Sequence, residues 1–264
     1  MQIISVINQK GGVGKTTTVI NLSAGLAELG KKILVIDLDP QGNATTGLGL
    51  SNISNSSETI YGVLNGTKNI PEVVKKTKFK NLDIITSNVD LSGLEVETAD
   101  DNERAFILKS KLTAYLNDFR ANYDYILIDC PPSLSLLTVM ALVTSNSLLV
   151  PLQTEFFALE GVTQLIKTIE RIKVNLNPNL EIRGILLTMY DKRNKLSSQV
   201  EKEARDFFNE KVYTTVIPRN VRLSEAPSHG MPVLIYDKAC PGSKSYFNFT
   251  DEFINQENLG SSAA

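Results

Sequence analysis

Residues 3–29 read IISVINQKGGVGKTTTVINLSAGLAEL. Ile3–Ile7 is a short apolar run suited to a buried strand. From Thr16 to Leu29 the spacing changes: Val19, Leu22, Leu26 and Leu29 line one face of a helix, and Gly30 stops it. Between them lies Lys10-Gly11-Gly12-Val13-Gly14-Lys15-Thr16-Thr17. A glycine-rich loop joining a strand to a helix and ending in Gly-Lys-Thr is the context of a phosphate-binding loop. The glycines let backbone N–H groups turn inward around phosphate oxygens, and the helix adds its positive end. In this reading Lys15 reaches the β- and γ-phosphates of ATP, and the Thr16 hydroxyl ligates Mg²⁺. The site is expected to comprise Lys10, Gly11, Gly12, Val13, Gly14, Lys15, Thr16 and Thr17.

Working outward, Ile33–Asp37 is a second buried strand, so the chain opens as β-loop-α-β. That predicts an α/β fold: one P-loop domain with a twisted, mostly parallel sheet and helices on both faces. Further strands are expected at Tyr125–Asp129, Ser147–Leu152, Ile182–Met189 and Tyr213–Ile217. Helices are expected at Ser133–Thr144, Leu159–Val174 and Ser197–Asn209. Residues 51–58 read as a polar loop, and residues 90–104 as acidic and irregular. A single domain over 1–255 is expected, followed by a frayed tail at 256–264.

Acids follow two of these strands. In Ile36-Asp37-Leu38-Asp39-Pro40, Asp37 and Asp39 are two apart and face one way along a strand. A carboxylate there orients an attacking water or holds a metal's water shell; residue physics leaves open which aspartate does which. Ile126-Leu127-Ile128-Asp129 is an apolar strand ending in an acid. Beside a P-loop, Asp129 reads as the group that holds Mg²⁺ through water.

Composition narrows the function classes. The 264 residues are 42 % apolar and 21 % charged, ordinary for a globular protein. No apolar run reaches the ~20 residues of a membrane-spanning helix, and the N-terminus does not read as a secretory signal. Two cysteines and one histidine leave no disulfide framework, zinc tetrad or histidine triad; Cys130 reads as a small buried residue. A reduced, cytoplasmic setting is expected. Net charge is −2, yet residues 183–222 hold nine basic and five acidic residues, a local excess of four positive charges. Phosphate contacts gather in such places.

Lys10 departs from a plain P-loop, and with it the sequence resembles the deviant Walker A ATPases of the MinD/ParA superfamily. The resemblance is strongest to the ParA (Soj) chromosome-partitioning ATPases. It is carried by NQKGGVGKTTT at 8–18, DLDPQGNATTGLG at 37–49, YDYILIDCPPSLSLLT at 123–138, PLQTEFFALEG at 151–161, GILLTMYDKR at 184–193 and TVIPRNVRLSEAPSHGMPV at 215–233. The resemblance implies an ATPase that forms an ATP-dependent sandwich homodimer, binds double-stranded DNA without sequence preference, and is released when a ParB centromere-binding protein stimulates hydrolysis. It implies a nucleoid-associated protein. Lys10 would reach the phosphates of the partner's nucleotide. Asp39, the aspartate before the proline, would position the hydrolytic water, with Asp37 in support. Pro218 and Asn220 would contact adenine, and Arg193 and Arg222 would contact DNA, with Lys192 and Lys195 as weaker helpers. The alternative within the superfamily is a MinD-like, membrane-associated regulator of division-site placement. That function uses a basic amphipathic C-terminal helix, whereas residues 246–254 (YFNFTDEFI) carry acids and read as a helix docked on the body. An iron–sulfur reductase fits neither cysteine position, and a P-loop metabolic enzyme lacks a visible second-substrate motif.

Overall fold

The computed structural model describes residues 1–50, 55–118, 121–156 and 158–261. Seven strands form one sheet: β1 (Gln2–Val6), β2 (Ile33–Asp37), β3 (Val74–Lys76), β4 (Leu82–Ile85), β5 (Tyr125–Asp129), β6 (Ser147–Gln153) and β7 (Glu181–Thr188). Their order is β3-β4-β2-β5-β1-β6-β7. Every pairing is parallel except β3 with β4. The principal helices are α1 (Lys15–Glu28), α2 (Ile107–Leu116), α3 (Leu136–Thr144), α4 (Ala158–Asn175), α5 (Lys195–Phe208), α6 (Val221–Glu225) and α7 (Pro241–Ser261).

Successive strand residues point to opposite faces, and both faces are buried. Ile4, Val6, Ile33, Val35, Ile84 and Leu127 pack with Val19, Leu22 and Leu26 of α1 and with Phe249 and Phe253 of α7. Ile3, Leu34, Ile36, Ile126 and Ile128 face the other way, against Leu108, Leu112 and Met140 of α2 and α3. Farther along, Val150 and Leu187 meet Leu165, Ile169 and Val200 of α4 and α5. The expected doubly covered parallel sheet is what the chain builds.

α7 lies against α1. Tyr246, Phe249 and Phe253 are buried, each worth about 1.5–3 kcal/mol by area, and the Tyr246 hydroxyl meets Thr18 Oγ1 at 3.1 Å. Gly25 makes the approach possible, because a Cβ there would lie 2.4 Å from Thr250 Oγ1. The aromatic face of the C-terminal helix is therefore spent in the core. Among the described residues, no helix is long and apolar enough to cross a membrane.

One expected strand needs correction, and two strands were not expected. Tyr213–Ile217 is not a strand. Tyr213 and Ile217 donate to β7 carbonyls, but between them the Thr214 and Thr215 N–H groups turn to the Glu252 carboxylate of α7. The side chain takes the hydrogen bonds that a ladder would need. Conversely, β3 and β4 lie in the lysine-rich stretch before and after residues 77–81, which carries no apolar run. α7 runs from Pro241 to Ser261. Residues 90–104 form short helical turns. Of the expected loop at 51–58, Ser56–Glu58 is a single 3₁₀ turn, and residues 51–54 lie outside the described part.

Candidate nucleotide-binding site

The loop after β1 opens at the carboxyl edge of the sheet. β1 sits between β5 and β6, and the chain continues from it to β2 on one side while β6 leads to β7 on the other. Open α/β sheets bind ligands at such reversals. Gly12 and Gly14 have φ of 75° and 89°, a region closed to most side chains. Gly14 is the N-cap of α1 and supplies no side-chain cap, so the first N–H groups of the helix remain open to a ligand. The loop is pinned from behind. Asn8 donates through Nδ2 to the Pro151 carbonyl (2.8 Å) and accepts the Lys10 N–H (3.0 Å). Thr188 Oγ1, at the end of β7, donates to the Val13 carbonyl (2.8 Å).

A cleft of about 510 Å³ lies over this loop. Gly11, Gly12, Gly14, Lys15, Thr16 and Thr17 line it, with Asp39 opposite. Lys15 is buried, and its ammonium donates to the Lys10 carbonyl at 3.2 Å. Burial lowers its pKa, while Asp129, Cys130 and Asp39 act to raise it. A positive charge held in a water-poor loop is well placed for polyphosphate. Val13 is buried behind the loop, where it offers backbone rather than side chain.

The three aspartates have different surroundings. Asp37 is fully buried and accepts from Thr45 N–H (2.8 Å), Thr45 Oγ1 (2.7 Å) and Asp39 N–H (3.2 Å). Burial nevertheless pushes its carboxyl up to about 6, against those bonds. It does not line the cleft, so the two-residue spacing brings only Asp39 to the ligand side and leaves Asp37 bracing the turn. Asp39 Oδ1 accepts the Gln41 N–H at 3.0 Å. Asp129 pairs in register with both Asp37 and Val6 on the flanking strands. It is fully buried behind the cleft, and burial, then the Asp37 charge, push its carboxyl well above the usual carboxylate range; the Thr16 hydroxyl opposes this. Neither of its oxygens has a hydrogen-bond partner of ordinary geometry.

An orphaned buried carboxylate is costly. A divalent cation, with its waters, would satisfy it and reverse its shift. The donor set nearby is all oxygen: the Thr16 hydroxyl, Asp39 and Asp129. Among the described residues no group of three or more His, Cys, Asp or Glu side chains could hold a metal alone. An all-oxygen donor set suits Mg²⁺, which keeps waters and shares its shell with phosphate. Cys130 is fully buried, and burial pushes its thiol up to about 12, as befits an unreactive core residue.

A second recess of about 170 Å³ continues from the cleft. It is walled by Ile217, Pro218, Asn220, Leu223 and Tyr246 and shares Gly14 and Thr17 with the first. Asn220 also caps α6, its Oδ1 accepting the Arg222 N–H at 3.0 Å; its amide is thus held in place but partly committed. Met189, Leu223, Ser224, Pro227 and Ser228 line the cleft as well, and sequence reading missed them. The signal was their membership of the blocks at 184–193 and 215–233, which carry no chemistry of their own.

The other expected positions lie outside the cleft. Lys10 does not line it; its ammonium forms an ion pair with Glu155, and both side chains are about half exposed. Arg193 is 91 % exposed and forked onto Asp191 by bonds of 3.0 and 2.9 Å, holding that carboxyl down at about 2. Arg222 meets Glu225 at 2.7 Å and Asp237 at 3.4 Å.

A protein-family model described as an AAA domain matches residues 1–182. The chain is 51 % identical over 259 residues to the chromosome partitioning protein ParA of Caulobacter vibrioides, covering 97 % of this chain and 95 % of that one. It is 48 % identical over 251 residues to the chromosome-partitioning ATPase Soj of Treponema pallidum, covering 95 % and 96 %. Among solved structures, the cobyrinic acid a,c-diamide synthase of Mycobacterium smegmatis, with bound ATP analog and magnesium, superposes with a TM-score of 0.83. Identity there is 32 %, covering 98 % of this chain and 97 % of that one.

Proposed function

The chain belongs to the ParA/Soj family of chromosome-partitioning ATPases, and from that membership we propose that it works as an ATP-switched, sequence-blind DNA-binding dimer. In this reading the loop N–H groups from Gly11 to Thr17 and the Lys15 ammonium hold the phosphates of ATP. The recess at Pro218 and Asn220 takes the base. Mg²⁺ would be held by Thr16, with Asp129 and Asp39 on its water shell; bound there, it neutralises phosphate charge. Asp39 orients the hydrolytic water. Lys10 leaves Glu155 and crosses to the partner's nucleotide. A ParB centromere-binding protein stimulates hydrolysis and frees the DNA. The protein then resides in the cytoplasm, on the nucleoid.

The observation that carries this reading is the place of Lys10. It adjoins the loop yet stands outside the cleft of its own protomer, on an exposed ion pair that costs little to exchange. Lys10→Ala is therefore expected to bind ATP as a monomer and to fail to dimerise. Light scattering with ATP checks this; a nucleotide-dependent dimer of normal strength rejects the crossing role.

The DNA surface has its own test. Arg193 and Arg222 are paired with acids only at the solvent, so a phosphate displaces those acids at little cost. Arg193→Glu with Arg222→Glu is expected to weaken binding to every duplex alike while ATP-dependent dimerisation persists. The log–log salt dependence should flatten by about 0.9 for each phosphate no longer neutralised. Binding titrations against salt, with dimerisation followed separately, decide it. Unchanged affinity places the DNA site elsewhere.

The amide-forming name of the solved relative suggests a second reading. The chain stands nearer in sequence to the partition proteins, at 51 and 48 % against 32 %. Phosphate release stimulated by random-sequence duplex together with a ParB protein, but not by small carboxylic acids, separates the two.

A further inference from the structure

At the opposite end of the strands from the nucleotide cleft lies a recess of about 510 Å³. Lys32, immediately before β2, and Lys76, Lys78 and Lys80, around the β3–β4 turn, line it. A five-residue parallel strand such as β2 sets the two ends roughly 16 Å apart along the sheet. The turn is built rather than loose. Thr77 Oγ1 donates to the Leu82 carbonyl (2.6 Å) and accepts the Phe79 N–H (3.0 Å). Asn81 takes the left-handed conformation at φ 64°, and the Phe79 ring packs on the core. The lysines thus project from a fixed frame.

One acid lines this recess, Asp83, and its charge is already spent. It is buried, bonded by Lys76 Nζ at 2.7 Å and by the Tyr123 hydroxyl at 2.8 Å. Burial and Asp83 keep that hydroxyl protonated, so it remains a donor. Asp124 stands at the margin and accepts the Lys32 backbone N–H at 2.7 Å. Counting both acids, the recess keeps an excess of two positive charges in a chain whose net charge is −2. Lys32, Lys78 and Lys80 are exposed and, among the described residues, carry no ion pair.

We propose that this lysine-lined recess is a second contact for the phosphate backbone of nucleic acid, one that operates without bound nucleotide. Ammonium groups on mobile stems meet phosphates as point charges and read no sequence. The recess shares no lining residue with the nucleotide cleft, so bound nucleotide does not cover it. The contact stands apart from the Arg193 and Arg222 site. Hydrolysis still dissolves the ATP-dependent hold of the proposed function; what the ATP-free protomer keeps is only this weaker, salt-sensitive contact.

The test is the anisotropy of a labelled random-sequence duplex, titrated with nucleotide-free protein at several salt concentrations. Wild type is expected to bind at low salt. Lys32→Glu with Lys78→Glu and Lys80→Glu is expected to weaken that binding at least about tenfold and to flatten the salt slope by about 0.9 for every phosphate it no longer neutralises. Unchanged melting temperature and ATP-dependent dimerisation establish that the variant is folded. The Arg193→Glu, Arg222→Glu protein should keep the nucleotide-free binding. No nucleotide-free binding by wild type overturns the proposal. So does its loss in the arginine variant but not in the lysine variant, an outcome that leaves the ATP-dependent DNA reading standing. Competition by poly-glutamate as effective as by unlabelled duplex also overturns it, because the recess would then be a surface for acidic protein.

Discussion

Lys15→Ala is expected to remain folded and to bind ATP far more weakly. Lys15 is the buried cation of the loop, and its burial is unfavourable for its charge, so removing it relieves a cost of folding. What it loses falls on the ligand. Two charge-assisted bonds to phosphate oxygens, each worth about 1.5–3 kcal/mol, correspond to roughly 10²–10⁴ in affinity. The loss is compounded by the neighbours. Asp37 and Asp129 both feel the charge of Asp39, and Asp129 that of Asp37, and without Lys15 this acidic field meets the polyphosphate unopposed. Calorimetric titration with an ATP analogue and Mg²⁺ measures it, with circular dichroism as the fold control. Affinity equal to wild type rejects the phosphate-loop assignment.

The same residue shows what a sequence can reveal. Lys15 was legible because the phosphate loop is local: strand, glycines, lysine and helix follow one another within 27 residues. The strands through the middle of the sheet were legible too, since a strand buried on both faces is an unbroken apolar run. β3 was not, because an edge strand three residues long with lysines, Val74–Lys76, has no such signature; β4, Leu82–Ile85, was not because Asp83 breaks its short apolar run. Tyr213–Ile217 misled for the converse reason. Tyr213 is buried against Phe249 and Phe253, so its apolar pattern reports packing, while Glu252 takes the backbone N–H groups. At the site, the acids at strand ends were readable. The registration of Asp37 beside Asp129 was not, because it depends on β5 inserting between β1 and β2. Pairings across long stretches of chain, such as Lys10 with Glu155, and the Arg222–Asp237 pair beyond helical reach leave no local trace.

Asp39→Ala is expected to behave oppositely to Lys15→Ala: ATP stays bound and is not turned over. Lys15, Thr16 and the loop N–H groups, which would carry the binding energy, are untouched by the change. Asp39 faces the cleft while Asp37 is saturated by Thr45 and by backbone, which is why the proposed reading gives the water to Asp39. Positioned acid–base groups contribute about 10²–10⁴ in rate, and a loss of that size is expected in phosphate release. If hydrolysis is what dissolves the dimer, the variant accumulates as an ATP-bound dimer in sedimentation. Alanine also removes the acceptor for the Gln41 N–H, a bond worth about 1 kcal/mol, so a local disturbance could imitate a chemical one. Asp39→Asn separates them: its amide oxygen still accepts from Gln41 and holds the turn, but it carries no charge to draw a proton from water. Both variants inactive, with ATP affinity retained, is the result expected of a water-orienting carboxylate. An active Asp39→Asn with an inactive Asp39→Ala would make the residue a brace for the turn. Full turnover in both would move the role to another group, and Asp129, with two unpartnered oxygens, would be the next to test.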